Sequence, residues 1–186
     1  RDVNSGMGMY IVGREKLLEL VESCMSRNEY DLDKDLMRVV HELKVMGFEF
    51  KGTAYQITSF GAYFEANMAL MEPKIRAELF NPNRPIYTKV RDDMPVKYGL
   101  DSNVSNSLVA DGCVIDGEVE NCVLFRGVKI GKGAKVRNCV IMQDSVIGEN
   151  SRLDYVVADK NVEVEANRTL MGYQTYPVFI AKESKV

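Results

Sequence analysis

Asn121-Cys122-Val123-Leu124 and Asn138-Cys139-Val140-Ile141 are two copies of one phrase; Asn106-Ser107-Leu108-Val109 stands before them and, more loosely, Asp154-Tyr155-Val156-Val157 after. The copies lie 15, 17 and 16 residues apart. That period is too short for a pair of helices and suits a coil with three sides of five or six residues. Between the phrases, apolar residues recur every five or six positions, at Val109, Val114, Val119, Leu124, Ile130, Val136, Ile141, Ile147 and Leu153, with glycine after Ile130 and Ile147. This is the hexapeptide pattern of a parallel β-helix. Each short strand sends one aliphatic side chain into a triangular core. Glycine, asparagine or aspartate turns the corner, because those residues accept the positive φ of a tight bend. An antiparallel sandwich would set turn signals roughly 8–12 residues apart, which is not the period here.

Working outward, 186 residues hold two small domains or one large one, and 46% apolar with 27% charged residues is ordinary for a globular chain. A net charge of −3 supplies no field to gather nucleic acid or anionic membrane, and no apolar run is long enough to span a bilayer. Neither is an expected partner. Arg1 opens the chain without a charged-then-apolar leader, which reads as an excised or processed piece lacking a signal peptide. The cysteines, Cys24, Cys113, Cys122 and Cys139, form no Cys-x-x-Cys pair that would begin a zinc site. Three of them sit in or beside the repeated phrase and read as small buried hydrophobes, reduced, in a cytoplasmic protein.

Before the repeats the pattern changes. Met7 to Val12 suits a short buried strand, Glu15 to Met25 has helical spacing, and a second helix capped by Asp33 runs to Gly47 and places His41 on its surface. Phe48 to Ile57 reads as a strand. Ser59 caps a third helix running to about Met71, ended by Pro73. These elements predict an α/β layer over residues 1–80, a proline-marked linker over 81–102 and the coil domain with its tail over 103–186. Asp31, Asp33, Asp35 and Glu42 match part of a calcium-loop spacing, but Leu36 stands where that loop requires glycine, so no calcium site is expected. Lys129, Lys132, Lys135 and Arg137 read as a small solvated outward patch on one coil.

Glu65-Ala66-Asn67-Met68-Ala69-Leu70, Arg84-Pro85-Ile86-Tyr87-Thr88 and Met94-Pro95-Val96-Lys97-Tyr98, followed by the coils, resemble in order and spacing the second half of a bacterial ADP-glucose pyrophosphorylase (glucose-1-phosphate adenylyltransferase). The similarity runs from Met7-Gly8-Met9-Tyr10 onward. It implies the second half of a Rossmann-like nucleotidyltransferase domain followed by a left-handed β-helix. The family makes ADP-glucose for glycogen from ATP and glucose 1-phosphate, and its glycine-rich nucleotide loop would precede this chain.

The resemblance also implies a sugar-phosphate pocket that is partly lost here. Tyr10 and Asp31 match the family's tyrosine and aspartate, whereas Gly6 replaces a serine and Leu32 a phenylalanine. The family's Trp-x-Asp-Val-Gly-Thr appears as Ala54-Tyr55-Gln56-Ile57-Thr58-Ser59, with Gln56 in place of an aspartate that binds magnesium. A neutral amide lacks the charge that holds a hard dication against phosphate oxygens, and nucleotidyl transfer depends on that stabilisation. Such loss resembles the noncatalytic GlgD-type partners of some Gram-positive bacteria. That likeness implies a regulatory subunit with no catalytic residue or cofactor of its own, paired with a catalytic subunit that binds Mg2+, in a hetero-oligomer with a possible homo-oligomer beside it. A catalytic subunit with a relaxed metal site stays open. So do two readings of another class: a hexapeptide acyltransferase, although His41 lies outside the coils that usually carry the catalytic histidine, and a pure assembly module.

Overall fold

The computed structural model describes residues 6–186, and the chain divides into one compact unit ending at Lys51 and a second from Gly52 to Val186. In the first, helix α1 (Arg14–Ser26) buries Leu20 and Cys24. It ends where Asn28 takes a left-handed φ of 58° and Glu29 N–H returns to the Cys24 carbonyl at 3.0 Å. Helix α2 (Leu32–Val39) follows, then a single 3-10 turn, Val40–Glu42, that holds His41 exposed. The cap of α2 is Asp31, whose carboxylate accepts the Lys34 amide at 3.2 Å, and not Asp33 as expected. Glu29 ties the helices together by accepting Arg27 Nε at 3.0 Å and Arg38 Nη1 at 2.8 Å. Neither Met7 to Val12 nor Phe48 to Ile57 forms a strand, for a physical reason: an extended segment becomes one only against a partner, and no described residue pairs with either. The side chains of Leu32, Asp35, Leu36 and Glu42, which bear on the pocket and the calcium spacing, lie outside the described residues.

The second unit opens with α3 (Phe60–Ala69), capped as expected by Ser59, which accepts the Ala62 amide at 3.1 Å. Pro73 does more than end it. A proline lacks the amide hydrogen that a first helical residue leaves unbonded anyway, so Pro73 begins a further helix, α4 (Pro73–Leu79).

The repeats then build a parallel β-solenoid of three five-stranded sheets. The first holds β1 (Lys97–Tyr98), β4 (Val114–Ile115), β7 (Lys129–Ile130), β10 (Val146–Ile147) and β13 (Glu163–Val164). The second holds β2 (Asn103–Ser105), β5 (Glu118–Glu120), β8 (Lys135–Arg137), β11 (Arg152–Asp154) and β14 (Thr169–Met171). The third holds β3 (Leu108–Val109), β6 (Val123–Leu124), β9 (Val140–Ile141), β12 (Val156–Ala158) and β15 (Val178–Ile180). Inside, Val119, Leu124, Ile130, Val136, Ile141, Ile147 and Leu153 are at most 2% exposed, as the spacing predicts. One step differs: Ile115 is buried while Val114 lies outward, because Ile115 pairs with the inward Ile130.

The corner before the third sheet explains the phrase letter by letter. Asn106, Asn121, Asn138 and Tyr155 have φ of 40°, 52°, 50° and 51°, the left-handed bend that asparagine tolerates well. The fourth phrase is therefore Tyr155-Val156-Val157-Ala158, one residue later than the spacing suggests, since Val157 pairs with Val140 and Ala158 with Ile141. Asp154 instead ends an amide ladder: Asn106 donates to Asn121 at 2.6 Å, Asn121 to Asn138 at 3.3 Å, and Asn138 to Asp154 at 2.8 Å.

The next letter points inward and closes a hydrogen-bond account. Cys122 N–H donates to Ser107 Oγ at 3.1 Å, Cys139 N–H to Cys122 Sγ at 3.4 Å, and Val156 N–H to Cys139 Sγ at 3.4 Å. Buried Ser145 and Ser151 do the same at the other corners, accepting Val162 and Arg168 amides at 3.2 Å. Cys113, Cys122 and Cys139 are free and fully buried, and burial pushes the Cys139 thiol well above its ordinary range.

The third letter points outward yet is apolar, because α3 covers that face. Phe64, 3% exposed, packs with Val123, Val140 and Val157, flanked by Tyr63, Met68 and Met71. The second sheet instead carries the half-exposed pairs Glu118–Lys135 at 3.0 Å and Glu120–Arg137 at 3.3 Å, worth ~0.2–1 kcal/mol each. Proline-marked residues leading into the coil are pinned at its corner by Gly112 N–H on the Met94 carbonyl, 2.6 Å, and by Asp93 facing Arg126 Nε at 4.0 Å. At the far end Val178, Ile180 and Val186 pack on the core, and Lys185 joins Glu163 at 2.9 Å. Among the described residues no helix is long and apolar enough to cross a membrane.

Candidate functional site

Tyr10 and Asp31 lie in the first unit and Gln56 in the second. Tyr10 lies outside any helix or strand, and its hydroxyl donates to Asp33; that hydrogen bond, then partial desolvation and the charges of Asp33 and Asp31, hold the phenol above its ordinary range. Asp31 does two local jobs, capping α2 and pairing with Lys34 Nζ at 3.1 Å, and these Lys34 contacts lower its carboxyl. Both side chains face water. Their acceptors and donors remain within reach of a polar ligand.

Gln56 is exposed and opens a tight turn in which Thr58 N–H returns to the Gln56 carbonyl at 3.2 Å. Its segment is anchored by Glu78 of α4. One Glu78 oxygen accepts the Thr53 amide at 2.7 Å and the other accepts the Thr53 hydroxyl at 2.6 Å, which lowers the Glu78 carboxyl. Sequence reasoning missed this clamp along with α4; the signal was Pro73 followed by a short charged helical run. Position 56 offers one neutral oxygen, and no cluster of three metal-ligating side chains is formed among the described residues.

The basic run is divided, contrary to the single patch expected. Lys129 lies on the outer face of the first sheet, Lys132 at the next corner, and Lys135 and Arg137 on the second sheet, paired with Glu118 and Glu120. The corner between β4 and β5 is only Asp116-Gly117, where the next coil uses Gly131 to Ala134. The missing residues leave an open depression of about 440 Å³ lined chiefly by Asp101, Asp116, Glu118, Lys132, Glu149 and Asn150. Its charges are of both signs and mostly exposed.

A family model described as GlmU-like, C-terminal hexapeptide, matches residues 94–175, which lie largely in the solenoid. Over 174 residues, 94% of this chain, the sequence is 38% identical to the glycogen biosynthesis protein GlgD of Bacillus subtilis (strain 168), 51% of which is covered. The chain is a relative of these glycogen biosynthesis proteins. It is also 43% identical over 129 residues to GlgD of Geobacillus stearothermophilus, covering 69% of this chain and 37% of that one. To the glucose-1-phosphate adenylyltransferase of Acetivibrio thermocellus it is 33% identical over 168 residues, covering 88% of this chain and 39% of that enzyme. The chain spans about half the length of the Bacillus subtilis protein and less of the other two.

Proposed function

We propose that this chain is the carboxy-terminal half of a noncatalytic, regulatory subunit of glucose-1-phosphate adenylyltransferase, acting in bacterial glycogen biosynthesis beside a catalytic subunit. The observation that carries this reading is Gln56, an amide where the family's magnesium ligand is an aspartate. Higher identity to the two GlgD proteins than to the adenylyltransferase supports it. On this reading the solenoid winds left-handed, and residues 1–80 are the latter part of a Rossmann-like nucleotidyltransferase domain, with residues 81–102 as linker and 103–186 as the coil domain. Tyr10, Asp31 and Gln56 are remnants of the family's sugar-phosphate positions, and Mg2+ belongs to the catalytic partner, in the cytoplasm. The open ends of the solenoid, where β1, β2 and β3 each have one unpaired edge, are the expected place of subunit contact, since exposed strand edges are ordinarily covered. The test is co-purification of the full-length protein with a catalytic subunit, with and without residues 103–186. Undiminished association after the deletion removes the solenoid from the interface.

A further inference from the structure

The last coil breaks the period of the others. On the third sheet the step is 17 residues from Val140 to Val157 and 22 from Val157 to Phe179. The additional residues form a tight hairpin closed by reciprocal backbone bonds, Tyr173 N–H to the Tyr176 carbonyl at 3.1 Å and the reverse at 2.8 Å. Its base is pressed onto the corner beneath. Gly172 N–H donates to the Asp154 carbonyl at 2.8 Å, Val178 N–H to the Tyr155 carbonyl at 2.9 Å, and a Cβ on Gly172 would collide with that Tyr155 oxygen. The solenoid core does not use the aromatic rings of this coil: Tyr173, Tyr176 and Phe179 are 69%, 81% and 54% exposed.

Two of these rings lead to α3. Phe179 meets Phe60 edge-on with centroids 5.5 Å apart. Tyr173 lies 6.3 Å from Tyr155, which lies 6.2 Å from Phe64. Phe60 and Phe64 belong to the first half of a ten-residue helix, shorter than a helix that persists alone in water. The order of its first turn therefore comes from what it packs on. Directly before that turn lie Ser59, its cap, and the segment Thr53 to Thr58 that carries Gln56.

We infer that the last coil is a conformational latch on α3. Docked, Phe179 and the Tyr155–Tyr173 pair hold Phe60 and Phe64 and so fix the first turn of α3; released, they free that turn and the Gln56 segment ahead of it, while the inner coils keep their own hydrogen bonds. The latch is independent of whether the protein is catalytic. Because coupling is reciprocal, loosening α3 also loosens β15.

Hydrogen exchange on the 186-residue chain tests this. In Phe179→Ala the amides of Ala62 and Tyr63, bonded to Ser59 Oγ and the Ser59 carbonyl, should exchange about threefold to tenfold faster, the range set by one aromatic pair. Amides of β6 to β10 should not change, and Phe179→Tyr, which keeps the ring, should restore slow exchange. Unchanged exchange at Ala62 and Tyr63 in Phe179→Ala overturns the latch. If that variant loosens the whole solenoid, Phe60→Leu decides, since it alters no solenoid residue. Faster exchange in β15 then supports the latch, and unchanged exchange there overturns it.

Discussion

Replacing Phe64 by alanine should detach α3 and leave the solenoid standing. The ring is 3% exposed and lies on Val123, Val140 and Val157, the outward row of the third sheet. Burying a phenylalanine removes roughly 150–250 Å² from water, which at ~25 cal/mol per Å² is about 4–6 kcal/mol as an upper bound. Measured phenylalanine-to-alanine changes in cores cost about 3–5 kcal/mol. What remains to hold α3 is smaller: the Ser59 cap, worth ~1 kcal/mol, the edge-on Phe60–Phe179 pair, worth ~0.5–1.5 kcal/mol, and the half-buried Tyr63, Met68 and Met71. The inner coils do not depend on Phe64, because Leu124, Ile141 and Ala158 face the opposite side of the same strands. Hydrogen exchange should therefore show α3 amides opening about a hundredfold to a few thousandfold more often, with those of β6 and β9 unchanged. If α3 stays as protected as in the unaltered chain, Phe64 is not what docks it, and the explanation of the apolar third letter of the repeat fails.

Cys139→Val should cost about 1–3 kcal/mol by stranding the Val156 amide now bonded to Cys139 Sγ, whereas Cys139→Ser should be milder, repeating the Ser145 and Ser151 arrangement; equal thermal stabilities would contradict this. Thiol labelling of the native chain should leave Cys113, Cys122 and Cys139 unreacted until denaturant is added, and rapid native labelling of all three would refute the coil register. Asp31 has a lowered carboxyl, so its cap contributes above the ordinary carboxylate value of 3.8 and is lost as pH falls through the lower folded value. After correction for intrinsic rates, the Lys34 amide should be less protected at roughly pH 2 than at about pH 6, and equal protection would show that the cap does not matter.

The solenoid was legible because one inward residue every five or six positions is a signal that few other folds produce, and because Asn106, Asn121 and Asn138 mark their own left-handed corners. Tyr155 hid the fourth corner. A tyrosine rarely takes that bend, and Asp154 beside it looked like the conventional corner residue while serving as the last acceptor of the amide ladder. Val114 and Ile115 could not be ordered from sequence, since both are aliphatic and only pairing with β7 shows which faces inward. Helix α4 was missed because Pro73 stops one helix and starts another with the same ring. Of the candidate site, the identity of Gln56 was readable, but the Thr53–Glu78 clamp joins residues 25 apart and leaves no local pattern. Asp31 shows the reverse difficulty, since a residue matched to a sugar pocket also makes an ordinary helix cap.

Assaying the full-length protein tests the proposed loss of catalysis most directly. Purified alone with ATP, glucose 1-phosphate and Mg2+, it should form no ADP-glucose, while adding it to a catalytic subunit should change that subunit's rate or its response to effectors. Robust ADP-glucose synthesis by the unaltered protein without a partner would contradict the account.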